Sequence, residues 1–241
     1  VSEGVARGIE VWDAPEAAWG LGLPKRLEAL GWKPRVVTSP AGHARGAAPC
    51  ALILNALLPM DWLQACMAVH HKALQEGILT ALVVGRSLPE ARRVHLREAG
   101  VSLFLAAPFS QAALRFQTNR AFMGLREAGP PRREARAPLR MALRARSTGR
   151  EKAVAVYTLS PGGAFLETGR PWVAGMHIEI DLPGPEGITA VASEVRHTNV
   201  PGNCMNHRAP IGMGVKFERL EPAHLQAVEE AVRRTSAALL L

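Results

Sequence analysis

The sequence predicts an α/β parallel sheet in its first half and an all-β, six-stranded antiparallel barrel with a C-terminal helix in its second. Three observations carry this prediction. Short apolar runs alternate with helix-spaced patterns up to about residue 125; Gly129-Pro130-Pro131 then stops any helix; and beyond it apolar residues recur at every second position. With 241 residues, 48% of them hydrophobic and 21% charged, the chain can fill two cores and resembles neither a disordered nor a collagen-like composition.

In the first half, the runs Ile9 to Trp12, Arg35 to Thr38, Ala51 to Leu54, Ala81 to Val84 and Ser102 to Leu105 read as five buried strands. Helical spacing over Leu21 to Leu30, Asp61 to Leu74 and Leu88 to Ala99 lies between them, with Gly31 and Gly100 as stop signals after the first and third. A last helix runs from about Ser110 to Arg126. Strands and helices in alternation give a parallel sheet covered on both faces.

In the second half, Met176, Ile178, Ile180 and Leu182 share one strand face while His177, Glu179 and Asp181 share the other, and Ile211, Met213, Val215 and Phe217 repeat the pattern. Leu139 to Ala145, Lys152 to Leu159, Ala164 to Glu167 and Ile188 to Arg196 complete the six strands of a small barrel. Pro222 to Ala238 reads as an amphipathic helix with Leu225, Val228 and Val232 as its apolar stripe. The expected domains are residues 1–125, an Arg-rich linker at 126–138, and the barrel with its helix at 139–241.

The net charge of +8 is unevenly spread. Residues 1–125 carry 13 basic and 9 acidic side chains, residues 126–150 carry 8 and 2, and residues 151–241 carry 8 and 10. Every basic residue in the middle stretch is Arg, whose planar fork suits phosphates and guanine edges, so a compact anionic ligand fits better than a long polyanion. Cys50, Cys66 and Cys204 are odd in number and widely spaced, which suits a reducing compartment. The apolar runs fall short of the roughly 18 residues that would mark a membrane span. Acidic residues break up the first 20 positions, leaving no secretory apolar stretch, and the expected location is cytoplasmic, without membrane association.

Arg132 and Arg136 stand four apart just before the first barrel strand, with Arg133 between them, and can converge on one anion at the barrel rim. Some 20 residues on, Thr158-Leu159-Ser160-Pro161-Gly162-Gly163 makes a tight turn whose hydroxyls and free backbone N–H groups form a polar nest. With these two motifs in order, residues 131 to about 238 resemble a PilZ domain, the bacterial receptor for cyclic di-GMP, whose signature is R-x-x-x-R followed by D/N-x-S-x-x-G. Gly175, the strand around Ala192 to Arg196 and the closing strand Ile211 to Phe217 add to the resemblance. It implies that Arg132, Arg133 and Arg136 grip the nucleotide, with Thr158, Ser160 and the Gly163 backbone on the turn. Thr158 departs from the family's Asp or Asn. Losing that side chain's contact costs about 1.5–3 kcal/mol if the bond was charged and about 0.5–1.5 if neutral, so affinity falls by up to tenfold or more.

The first half resembles a response-regulator receiver over residues 8 to about 125, and its functional positions fail one by one. The acidic pair falls on Trp12 and Asp13, the phospho-accepting Asp on Asn55, the hydroxyl on Gly85, and the Lys on Ala107 ahead of Pro108. Phosphoryl transfer is thereby disfavoured, and the resemblance implies a pseudo-receiver used for docking or dimerisation. The segment Ser39 to Pro49 is too short and too rich in Gly and Pro for a full second helix.

Cys66 and His70 lie at i and i+4, but no second pair with ligand spacing exists, so no metal is expected. His70 and His71 read as a helix surface, and His197 and His207 as loop residues. Ser160 sits in S-P-G-G rather than a hydrolase's G-x-S-x-G, so no catalytic residue and no cofactor are expected. Trp12, Trp19, Trp32, Trp62 and Trp172 are scattered and read as core or interface. The expectation is a non-enzymatic adaptor that binds cyclic di-GMP and relays it to an unknown protein partner, with homodimerisation through the first domain open. The alternatives are a PilZ-like scaffold that has lost nucleotide binding and, less favoured, a nucleic-acid binder using the same arginines.

Overall fold

The computed structural model describes residues 8–13, 21–37, 39, 49–123, 134–185, 187–202 and 209–241. Two compact units emerge, one formed by residues 1–131 together with 238–241 and the other by residues 132–237.

In the first unit, strands β1 (Ile9–Trp12), β2 (Arg35–Val37), β3 (Ala51–Asn55), β4 (Thr80–Gly85) and β5 (Leu103–Ala106) form one sheet in the order β2-β1-β3-β4-β5. All four pairings are parallel, which is the doubly wound order of flavodoxin-like folds. Both faces are buried because successive side chains serve different cores. On β3, Leu52 and Leu54 enter one apolar cluster with Leu63, Cys66, Met67 and Leu74 of α2 (Met60–Gln75) and Leu96 of α3 (Glu90–Glu98). Ala51 and Ile53 enter the other, with Leu23 and Leu27 of α1 (Leu23–Glu28) and Leu114 and Ala121 of α4 (Gln111–Met123). The five strands fall where the apolar runs place them. The weighed segment Ser39 to Pro49 lies mostly outside the described residues.

Residues 239–241 add to the open edge of this sheet. Leu240 bridges Leu103 in antiparallel fashion, Phe104 N–H donates to the Leu239 carbonyl (3.1 Å), and Leu241 N–H donates to Ser102 (3.0 Å). The buried Gln117 amide donates to both Phe104 (3.0 Å) and Leu239 (2.8 Å) carbonyls, and Leu239 packs into the α1/α4 cluster.

Among the described residues, one charged group lies wholly inside this unit. Glu10 on β1 is fully buried; Trp12 Nε1–H donates to it at 2.6 Å, His70 Nε2 lies 3.0 Å away, and the Arg35 guanidinium pairs with it. Burial alone would raise its pKa, but the hydrogen bonds from His70, Trp12 and Arg35 and the attraction of His70 outweigh burial and hold it at about 2. His70 is therefore an interior residue rather than part of a helix surface, because β1 runs beside α2 and aims Glu10 at it. Burial, with the Glu10 charge adding to it, pushes the Cys66 thiol well above its usual range. Cys66 is buried and Cys50 half-buried, both with free thiols; Cys204 lies outside the described residues. Trp12, Trp32 and Trp172 are buried as expected, while Trp19 lies outside the described residues.

The second unit is a closed barrel of β6 (Ala137–Ser147), β7 (Arg150–Ser160), β8 (Gly163–Glu167), β9 (His177–Gly184), β10 (Gly187–Asn199) and β11 (Gly212–Phe217), in the circular order β10-β11-β8-β7-β6-β9. Ile178, Ile180 and Leu182 point inward as their alternation predicts, joined by Leu143, Val154, Leu159, Val195, Met213, Val215 and Phe217. Ile211 precedes β11 and is exposed. Helix α5 (Pro222–Ala238) packs Val228 and Val232 into this core. The third inward position, one turn before Val228, belongs to His224, and Leu225 is only half-buried. The His224 ring lies against Gly184, where a Cβ would overlap it. Among the described residues, no helix is long and apolar enough to cross a membrane.

Candidate ligand-binding site

Closing the barrel lines up a row of residues that the sequence scatters between positions 138 and 214. The register pairs Pro138 with Thr158, Thr158 with Phe165, Phe165 with Gly214 and Gly214 with His197, so one row crosses β6, β7, β8, β11 and β10. The next row inward in sequence, Ala137, Leu159, Ala164 and Val215, fills the barrel core with Val195, which places the Thr158 row on the outer face. His197 lies over Gly214, where any Cβ would collide with the imidazole. Its ring centroid is 6.0 Å from that of Phe165, which in turn meets Tyr157 edge-on at 6.0 Å. His197 is thus a strand residue, not the loop residue its sequence surroundings suggest.

Arg136 is exposed and immediately precedes Ala137, whose partner across the ladder is Leu159. Strand pairing therefore brings the arginine to the end of the barrel where the Ser160 to Gly163 turn closes. Its charge reaches His197: burial first, and then Arg136, pushes the imidazole below its usual pKa and favours the neutral ring. Arg132 and Arg133 lie outside the described residues.

The turn itself is tightly held. Ser160 pairs with Gly163 across a two-residue loop, and the buried Ser160 hydroxyl donates to the Gly163 carbonyl at 3.1 Å. Gly163 has no room for a side chain, since its Cβ would enter the Val215 carbonyl of β11. Phe217 N–H donates to the Gly162 carbonyl at 3.0 Å, fastening the turn to β11. Thr158 is buried, at 6% exposure, and so offers its short hydroxyl from a recessed position. The turn's N–H groups are not all free, as the sequence suggests: Gly162 N–H donates to the Glu134 carboxylate at 2.7 Å. Sequence reasoning missed Glu134, because one carboxylate inside an Arg run looks like a solubilising charge. It also missed His197; a glycine paired opposite it was the available signal.

A concavity of about 670 Å³ lies beside the β6–β7 hairpin, at the far end of β6 from Arg136. Its charged walls are mostly self-paired: Arg146 with Glu179 (3.8 Å) and Asp181, and His177 with Glu218 (2.5 Å).

In the first unit, the crevice where strand order reverses, beyond the ends of β1 and β3, holds Asp13 and Asn55. Asn55 Nδ2–H donates to Asp13 at 2.8 Å, and Asn55 Oδ1 accepts from Leu57 N–H at 2.9 Å, so the amide is tied up within the protein. A side chain at Gly85 would overlap Ala56 Cβ, which excludes a hydroxyl there. Ala107 adds no cation. Among the described residues the crevice thus offers an amide at the end of the third strand, a glycine at the end of the fourth and an alanine ahead of Pro108, in place of a nucleophilic carboxylate, a hydroxyl and a cation. No group of three or more metal-ligating side chains occurs among the described residues, and Cys66 and His70 belong to the interior around Glu10.

Residues 130–234 match the family model of the PilZ domain. No curated protein matches the chain. Among solved structures, the Bacillus subtilis inhibitor of motility is similar at 16% identity and a TM-score of 0.36, over 45% of this chain and 52% of that one. The PilZ domain of YcgR from Escherichia coli with c-di-GMP is similar at 17% identity and a TM-score of 0.32, over 45% of this chain and 94% of that one. The K. pneumonia MrkH–c-di-GMP complex is similar at 16% identity and a TM-score of 0.34, over 47% and 56%. The chain thus aligns with about half the length of the motility inhibitor.

Proposed function

Because residues 130–234 carry a PilZ domain, we propose that this chain is a non-enzymatic signalling adaptor that takes cyclic di-GMP on the outer face of its barrel. Arg132, Arg133 and Arg136 supply the phosphate and guanine-edge contacts, and Thr158, Ser160 and the Gly163 backbone supply the floor. The observation that carries the reading is the meeting of two segments far apart in sequence: Arg136 leads into the strand paired with Leu159, and Glu134, two residues before it, hydrogen-bonds the turn at Gly162. Arginines on a segment that touches the turn form a clamp for a compact dianion. Ligand contacts by these arginines differ between bound and free states, and that difference drives a reorientation of the two units that a protein partner reads. The pseudo-receiver contributes a docking surface, since its acceptor position is an amide committed to Asp13.

The test is isothermal titration of cyclic di-GMP into the intact chain at moderate salt, with GTP and Arg136→Ala as controls. Saturable binding at micromolar or tighter affinity, lost in the variant, supports the receptor. Absence of heat from folded protein at high concentration refutes it. The second reading, a PilZ-like scaffold without nucleotide, rests on Thr158, which places a recessed hydroxyl where the family has a carboxylate or carboxamide.

A further inference from the structure

Gly162 does not need to be glycine for its own backbone: unlike eight other glycines of the described chain, it does not adopt a positive φ. A Cβ there would meet only the end of the Glu134 side chain, 2.6 Å from Oε2 and 3.1 Å from Oε1, so that carboxylate rests directly against the bare Cα. The Gly162 N–H completes the seat with a charge-assisted hydrogen bond of 2.7 Å. The acceptor is an anion, it comes from the same short segment that carries Arg136, and it occupies a turn donor aimed outward from the barrel rim. It is also one of only two acidic residues among residues 126–150, where eight arginines supply the positive charge.

We propose that Glu134 is an internal anion that holds the turn when no ligand is present and must be displaced by the incoming phosphate. This deepens the receptor reading above and rests on it. In the empty protein the carboxylate satisfies Gly162 N–H and weakens the positive field around Arg136. A ligand with a single weak anionic contact cannot displace a tethered competitor, whereas one that engages several arginines at once can. Glu134 thus sets an affinity threshold and favours a compact multivalent anion over inorganic phosphate or mononucleotides.

Two exposed-site variants separate the parts of the idea. Glu134→Ala removes charge and acceptor; Glu134→Gln removes the charge and keeps an acceptor for Gly162 N–H. Titrated with cyclic di-GMP at moderate salt, Glu134→Ala is expected to bind about three- to tenfold tighter than the parent chain, the range expected for losing an exposed charge-assisted bond, with Glu134→Gln between them. The Gly162 amide resonance is expected to shift and its hydrogen exchange to quicken in Glu134→Ala. Equal or weaker binding by Glu134→Ala overturns the proposal, weaker binding assigning Glu134 to holding Arg136 in place instead. Binding by the variant but not by the parent supports it most directly. If neither binds, the receptor reading falls, and with it the displacement; an unmoved Gly162 amide would in addition remove the carboxylate from the turn.

Discussion

Replacing Glu10 with Gln probes a fully buried charge in the α/β unit. Its carboxyl is held at about 2 in the folded chain against an ordinary 4.5. Each pKa unit is worth about 1.4 kcal/mol, so the depressed value corresponds to roughly 3 kcal/mol of stability. A carboxyl whose folded pKa is lowered stabilises the fold above its unfolded pKa, and that contribution fades as pH falls from about 4.5 toward about 2. The variant keeps one acceptor oxygen but turns its NH₂ toward either Arg35 on one side or Trp12 and His70 on the other, so a cost of about 3 kcal/mol or more is expected at pH 7. Urea unfolding followed by tryptophan fluorescence measures it, since Trp12 and Trp32 are buried in this unit. The gap between parent and variant should narrow by roughly half near pH 3 and approach the residual hydrogen-bond difference below it. A gap that is already small at pH 7, or that stays constant from pH 7 to pH 3, would refute the assignment of the stabilisation to the Glu10 charge.

Thr158→Asn should strengthen cyclic di-GMP binding by about tenfold if the recessed hydroxyl is what limits affinity, and titration calorimetry showing no gain would clear Thr158 of that role. Gly163→Ala drives a methyl into the Val215 carbonyl; an expected loss of about 1–3 kcal/mol is read by unfolding of the barrel, and a neutral result would contradict the packing. Gly85→Ser meets Ala56 and should destabilise the α/β unit by a similar 1–3 kcal/mol. Incubated with acetyl phosphate, it should take up no phosphate, which mass spectrometry checks.

The architecture was legible because both kinds of strand leave a strong pattern. β3 is apolar from Ala51 to Leu54 since its alternate residues feed two different cores, whereas β9 alternates because only Ile178, Ile180 and Leu182 face inward. In the site, motif spacing pointed to Arg136 and the Ser160 turn, whose adjacency depends on local strand pairing. What escaped depends on long-range geometry. An irregularity between Val195 and His197 breaks the alternation of β10, so no periodicity assigns His197 to the outer row. His70 looked like a surface residue until β1 was laid beside α2. His224 displaced Leu225 from the inward stripe because Gly184 leaves a space that suits a flat ring.

The return of residues 239–241 to β5 changes how the chain can be dissected. Followed covalently, the barrel is an insertion inside the α/β unit, which is discontinuous and closes only when the last residues are present. A fragment cut at residue 131 would keep every helix of that unit yet bare the Leu103 edge and strip the buried Gln117 amide of its Leu239 acceptor. Such a piece would associate through its edge or unfold, and its behaviour would say little about the intact protein. The first unit is therefore best probed in the intact chain, where residues 239–241 stay in place along the β5 edge.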